Sequence, residues 1–310
     1  MADTKYIEAP CDICGSGRKA FAGFPDTGEI RKMGLNIPEN IVVVKCAKCG
    51  FYYTNPMPFW GDEDLNKLYS RGYYDKYADR WKKIKEVINP NRRLSTLEKL
   101  SERKISRFLE LGCGEGSCLK QAMKRGWSVH GQDVSSYFAG AARNNTGAEV
   151  FLGRLEEAKY PDNYFDAVYA DSVLEHVPQV SKMIKEIHRI LRPGGLFYVV
   201  CPNEDALVKH IKQLYAGIRG KSASVRLAPF VNPYHINGFS KRAIKRLAET
   251  NSFEVKSVFI GKEYYIREHG HNIREKVSGI LGRIVYFAGN ATGCGTNLEA
   301  VLMSVKQEDV

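Results

Sequence analysis

The stretch Arg107–Ser117, "RFLELGCGEGS", places an acid, Glu110, ahead of glycines at 112, 114 and 116, with Cys113 between the first two. A glycine-rich turn after an apolar run lets the backbone approach a nucleotide closely, because no Cβ stands in the way. A dinucleotide fingerprint needs a further glycine where Ser117 stands, and an acid just before the turn would repel a pyrophosphate. The same acid suits a ligand with a cationic end. S-adenosylmethionine (SAM) is such a ligand, carrying an ammonium and a sulfonium and no phosphate. Asp133 ends the next apolar run, about 20 residues on, where a carboxylate can accept from both ribose hydroxyls. Its plainer reading is a helix N-cap.

A second constellation lies near the N-terminus. Cys11 and Cys14 in "CDIC", and Cys46 and Cys49 in "CAKC", form two C-x-x-C pairs, each followed by glycine. Four thiolates suit tetrahedral zinc and leave no open coordination position, which points to a structural metal. Gly15 and Gly50 permit the turns that aim backbone amides at the sulfurs. The 31-residue segment between the pairs suggests a hairpin around "GFPDTGEIRKM". The remaining four cysteines are scattered, so the eight read as one metal site in a reducing compartment rather than a disulfide framework.

Two histidines are placed for proton transfer to or from an acceptor. His176 in "SVLEHVP" follows a strand pattern and should lie near the mouth of the nucleotide site. His235, in "NPYHINGFS", sits beside a basic stretch, next to Tyr234. The plainer readings are a loop-ordering role for His176 and packing or capping for His235.

These residues need a frame that brings them together. From Ile105 the pattern alternates strand and helix: "ISRFLEL", "WSVHGQD", "AEVFLG", "YFDAVYA" and "LFYVVC" read as strands separated by helices. "SKRAIKRLAETN" is a helix with Ser240 as N-cap, and "FEVKSVFIG" and "NLEAVLMSV" read as closing strands. Such alternation implies a parallel sheet whose ligand sits at the carboxyl ends of the strands. Three regions follow: residues 1–60, carrying the cysteines; a charged helical connector, 61–104, with "EDLNKLYS" and "RWKKIKEVI"; and an α/β domain, 105–310. The last contains two insertions, a basic irregular one at 204–237 and a long connection at 261–294. Within the second, "VSGILGRIVYFAGNATG" reads as a buried core helix, and its apolarity also suits a membrane interface.

"LELGCGEGSCLKQAMKRGWSVHGQDVS" and "YPDNYFDAVYADSVLEHVPQVSKMIKEIHRILRPGGLFYVVCPN" resemble, in order, the motifs of class I SAM-dependent methyltransferases of the type 11/23 kind. The resemblance implies a Rossmann-like fold, a mostly parallel seven-stranded sheet flanked by helices. It assigns Glu110, Gly112, Cys113, Gly114 and Gly116 to the methionine end, Asp133 to the ribose and Val134 to the adenine. Leu155 and Glu156 in "GRLEE" would lie near the base, and Asp171 and Ser172 near the reaction centre. The chain departs from many relatives at Arg154, where they carry Asp. For Val134 and Leu155 the plainer reading is core packing. The cysteine region resembles the N-terminal zinc ribbon of some bacterial methyltransferases associated with sugar, lipopolysaccharide or secondary-metabolite modification. It is also similar to zinc-bearing ribosomal RNA methyltransferases, although their histidine-type last ligand is absent.

The 310 residues are 44% hydrophobic and 26% charged, which excludes a disordered chain. The formal charge is +11, and Lys209–Arg246 holds nine Lys/Arg and no Asp or Glu. This favours an anionic partner. The reading is therefore a cytoplasmic SAM-dependent methyltransferase with structural zinc, acting on an oxygen of a sugar, glycan or other anionic small molecule. Its rivals are RNA methylation through the zinc module and basic face, and a non-catalytic partner-binding protein on the same fold. No apolar run is long enough to span a bilayer, while peripheral contact with one remains open.

Overall fold

The computed structural model describes residues 4–70, 90–218, 220, 227, 234–261 and 273–306. The chain begins with β1 (Lys5–Ile7), β2 (Lys19–Gly23), α1 (Gly28–Lys32), β3 (Val42–Cys46), β4 (Tyr52–Asn55), β5 (Met57–Phe59) and α2 (Asp62–Leu68). Then follow α3 (Pro90–Leu100), β6 (Arg107–Leu111), α4 (Ser117–Met123), β7 (Ser128–Asp133), α5 (Ser136–Thr146), β8 (Glu149–Leu152) and β9 (Phe165–Asp171). The remainder is α6 (Val180–Ile190), β10 (Leu191–Pro202), α7 (Leu207–Ile218), β11 (Asn237–Gly238), α8 (Lys241–Glu249), β12 (Phe253–Ile260), α9 (Ile273–Ala291) and β13 (Asn297–Ser304).

Seven strands form one sheet in the order β12-β13-β10-β9-β6-β7-β8. β6 to β10 run parallel, whereas β13 is antiparallel to both its neighbours. The central strands are apolar on both faces because helices cover both: Phe108, Leu109 and Leu111 of β6 are all fully buried. α6 buries Val180, Met183, Ile184, Ile187 and Ile190, a spacing that keeps one helical face on the sheet. Ser135 and Ser240 cap α5 and α8, accepting from the amides of Phe138 and Ala243. The strand order reverses between β6 and β9, so the crevice of a doubly wound sheet opens at their carboxyl ends.

The N-terminal region departs from the simple hairpin. A short helix, α1, occupies the segment between the cysteine pairs, and β2 and β3 pair antiparallel around it. These strands belong to a four-stranded sheet, β11-β4-β3-β2, whose outer strand comes from the insertion after β10. Tyr52 and Tyr53 pair with Gly238 and Asn237, and the Thr54 amide donates to the Ile236 carbonyl at 3.0 Å. Without that strand, the edge of β4 would be buried with its backbone groups unsatisfied. One apolar core accordingly runs from Cys11 and Phe51 to Ile184 and Leu302.

The insertions also differ from an irregular loop and a long connection. The first contains helix α7 and the second helix α9. Of the charged connector, "EDLNKL" falls within α2, whereas "RWKKIKEVI" lies outside the described residues.

A buried ionic network ties α3 to the sheet. Arg93 is 1% exposed, and its guanidinium donates to Asp171 and, at 3.1 Å, to the Tyr169 hydroxyl. Its Nε lies 3.5 Å from Glu299, which also pairs with Arg92 and accepts from the Tyr198 hydroxyl. Removing one member strands charges in a low-dielectric interior. Arg93→Met should therefore cost about 3–5 kcal/mol, read as a lowered midpoint in urea denaturation.

Candidate functional site

The glycine turn leaves β6 at the reversal point. Gly112, Gly114 and Gly116 have φ of +59°, +54° and +80°, where side chains are strained. Space forbids them too: a Cβ on Gly112 would lie 2.7 Å from Val173 Cγ2, and one on Gly116 2.7 Å from Thr146 Cγ2. The turn is held by its acids. Asp133 accepts from the Gly114 amide at 3.0 Å and the Ser135 amide at 2.9 Å, so it spans the turn and the start of α5. Glu110 accepts from the Leu119 amide in the first turn of α4 at 3.1 Å. Cys113 is buried, its amide donating to the Gln132 carbonyl.

Glu110 and Asp133 are both only 7% exposed. Burial, and next the charge of Asp171, push the Glu110 carboxyl well above its usual range. Burial likewise raises Asp133, against the amides of Ser135 and Gly114. Glu110 and Asp133 thus face one crevice whose interior disfavours their ionisation. A cation entering it would lower both. Asp171 is shared among Arg93, Tyr169 and the Ser172 hydroxyl, and Ser172 itself has φ of +57°.

The residues assigned to the base fare differently. Val134 and Glu156 are half-buried, whereas Leu155 is fully enclosed in the core, which leaves its backbone as the part able to face a ligand. Arg154 turns toward the N-terminal region, donating to the Trp60 carbonyl at 2.8 Å and to Asp62 at 3.2 Å. At the other end of α2, the Tyr69 carbonyl accepts from the Ser135 hydroxyl at 3.0 Å. α2 is therefore fastened at both ends to loops of this crevice. Sequence reasoning missed this cover; the unusual Arg154 was its one local signal.

A second cluster forms beyond β9. Glu175, His176 and His235 bring one ligating atom each to within 4.8 Å of one another. The His176 and His235 rings meet edge to face at 5.0 Å, and His235 Nε2 lies 3.9 Å from Glu175. His176 Nδ1 lies 2.9 Å from the Tyr234 carbonyl, an acceptor, so Nδ1 holds the proton and Nε2 the lone pair. Burial lowers His176 to about 4 and His235 well below the usual value, keeping both rings neutral near pH 7. Glu175 is fully buried, neither carboxylate oxygen has a hydrogen-bond partner, and burial raises it to about 8. The buried Tyr234 contributes its carbonyl to His176 and its hydroxyl to the Met33 sulfur, at 3.4 Å. Nothing in the local sequence marked Glu175 as the partner of a histidine 60 residues away.

The cysteines converge as well. All four sulfurs lie within 4.8 Å of one another, with Cys11–Cys49 at 3.5 Å and Cys14–Cys46 at 3.6 Å, and none is in a disulfide. The edge of a sulfur tetrahedron around zinc at ~2.3 Å is about 3.8 Å, so the donors fit that ion. The turns close through Gly15 and Gly50 amides donating to the Cys11 and Cys46 carbonyls, at φ of +67° and +77°.

Several described residues of the basic run are engaged within the protein. Lys209 pairs with Glu204, while Arg242 on α8 donates to the Lys48 carbonyl and Arg246 pairs with Glu249.

Residues 109–199 match the family described as methyltransferase domain; Cys11, Cys14, Cys46 and Cys49 lie outside that match. A Mycolicibacterium smegmatis protein named "Probable S-adenosylmethionine-dependent methyltransferase" is 27% identical over 201 residues, 64% of this chain and 66% of that protein. A sterol 24-C-methyltransferase of Gibberella zeae is 34% identical over 101 residues, 30% of this chain; the match spans only 27% of that relative. A chain from the Haloferax volcanii complex between the Trm112 methyltransferase activator and a methyltransferase aligns with a TM-score of 0.54. It is 16% identical, covering 77% of this chain and 99% of that one. Haemonchus contortus phosphoethanolamine N-methyltransferase 2, solved with SAM, aligns with a TM-score of 0.53 at 19% identity, covering 83% of this chain and 63% of that one. At such identities the likeness is one of fold. The chain thus has the Rossmann-like class I methyltransferase fold, and its residues 109–199 match the methyltransferase domain family.

Proposed function

We propose that the chain transfers a methyl group from SAM to an oxygen of an anionic small molecule, sugar or glycan. The observation that carries this reading is the buried pair Glu110 and Asp133, set around a positive-φ glycine turn at the reversal of the strand order. Phosphate ligands gain nothing from such a pair, whereas an ammonium and a sulfonium do. In this reading Glu110 and Gly112–Gly116 hold the methionine end, with Asp171 and Ser172 beside it. Asp133 holds the ribose, Val134 and the loop at Leu155 and Glu156 flank the base, and α2 keeps water from the crevice. Bound there, SAM supplies an electrophilic methyl with a neutral thioether as leaving group.

Much of the rate would come from alignment of acceptor and methyl. An alcohol must also lose its proton, and His176 Nε2 is the atom that would take it, with Nδ1–H anchored on the Tyr234 carbonyl. His235 and Glu175 stand behind it as a second proton-holding pair. Cys11, Cys14, Cys46 and Cys49 would bind zinc, fixing the region that supplies α2 and packs against β11.

Calorimetry with SAM tests the reading: binding in the micromolar range is expected, and none at millimolar ligand would overturn it. Asp133→Ala should weaken binding about 10- to 100-fold, the value of hydrogen bonds to a charged group. Radiolabelled transfer into fractionated extract should mark a phosphate-bearing, non-protein fraction; label confined to RNA or protein would refute the acceptor class.

Metal analysis should find one zinc per chain, removed by a chelator together with a drop in melting temperature. Glu175 yields a pH test. Its raised value means the folded protein binds a proton that the unfolded chain releases between the ordinary carboxylate range and about 8. Stability from this group therefore declines as pH rises through that window. Glu175→Gln should melt progressively higher than the parent between pH 5 and 8, with methyl transfer reduced.

A further inference from the structure

We propose that α7 and α9 together form a docking surface for an anionic lipid bilayer. On α7, Ile211, Leu214, Tyr215 and Ile218 follow one another at helical spacing and are 44–76% exposed, so the stripe that would normally face a core faces solvent. On α9, Ile280, Ile284 and Phe287 do the same, each about 60% exposed or more. Over residues 280–291, the helix read from sequence as core is buried on its other side, at Tyr286 and Gly289. That side meets α7, where Gly289 lies 3.5 Å from Leu207 at the position a Cβ would take. Scattered apolar residues on a surface are ordinary; two adjoining stripes are not.

Charge selects the occupant. α7 carries the exposed Lys212 and no acid, Lys209 being paired with Glu204, and Arg283 is exposed between the apolar residues of α9. A second copy apposed through the same stripes would set the exposed Lys212 and Arg283 against like charges. A bilayer with anionic headgroups accepts the apolar stripes and the cations at once. No described helix is long and apolar enough to cross a membrane, so the contact is one of lying on the surface. α7 and α9, at 12 and 19 residues, extend about 18 and 28 Å.

Position gives this surface a consequence. α7 leaves from, and α9 returns to, the carboxyl end of β10: the Leu207 amide donates to the Cys294 carbonyl at 2.8 Å, and Pro202 pairs with Asn297. This is the edge of the sheet that bears the nucleotide crevice. If the proposed methyl transfer holds, its acceptor is an anionic molecule presented at the bilayer, such as a lipid-linked phosphosugar; the docking itself does not rest on that reading.

Vesicle flotation of the full chain tests the surface, using phosphatidylcholine with and without phosphatidylglycerol. The chain should float with the anionic vesicles and lose most binding in high salt. Leu214→Glu with Ile284→Glu should reduce flotation at least tenfold, and Lys212→Gln about fivefold, the worth of one cation near a charged surface. Circular dichroism and SAM calorimetry of the variants separate loss of docking from loss of folding or of the cofactor site. No flotation with anionic vesicles, or flotation unaffected by Leu214→Glu with Ile284→Glu, overturns the proposal. So does a parent dimer in light scattering that these substitutions dissociate, since the stripes would then face a second copy.

Discussion

The guanidinium of Arg93 is buried where α3 crosses the sheet, and three strands depend on it. It joins Asp171 at the end of β9 to Glu299 in β13, with Tyr169 completing the cage and Tyr198 and Arg92 bonding the same glutamate. Arg93 and Glu299 are too enclosed to find water, so the pairing leaves little freedom in how α3 and β13 sit. That arrangement sets Asp171 at the mouth of the crevice and holds the strand-order reversal between β6 and β9 in place. Buried ion pairs contribute less to net stability than their attraction suggests, because desolvation opposes it. Their value here is registry: a single geometry satisfies every member.

The crevice follows the same logic with the sign reversed. Among the described residues, Glu110 and Asp133 are buried acids hydrogen-bonded by backbone amides, with no side-chain cation bonded to either. Such acids resist ionisation until a positive group arrives, which is the electrostatic basis of the proposal that the site takes a cationic ligand. The histidine cluster beyond β9 is built from burial as well, which keeps its rings neutral near pH 7.

Much of this was legible in the residues. The seven strands, the helices between them and the cap at Ser240 were set by apolar periodicity and by local backbone chemistry. The cysteine spacing announced its own convergence, since a C-x-x-C turn can point two sulfurs one way whatever surrounds it. Other features were out of reach. Arg93 looked like one more charge on a charged helix, and Glu175 like an ordinary residue in "LEH". The outer strand β11 is two residues long, Asn237 and Gly238, and no pattern of that length marks a strand.

Sequence by itself determined the order of elements, the glycine turn with its acids and the donor set of the cysteine cluster, because each depends on neighbours a few residues away. Tertiary structure alone decided which charges are buried together and which helix faces remain exposed. It brought His235 to Glu175, placed the described part of the basic run on two helices, and turned the apolar stripe of α9 outward. The reason is physical: a helical stripe records that a face is apolar, but only the packing of distant elements determines whether protein or solvent lies against it.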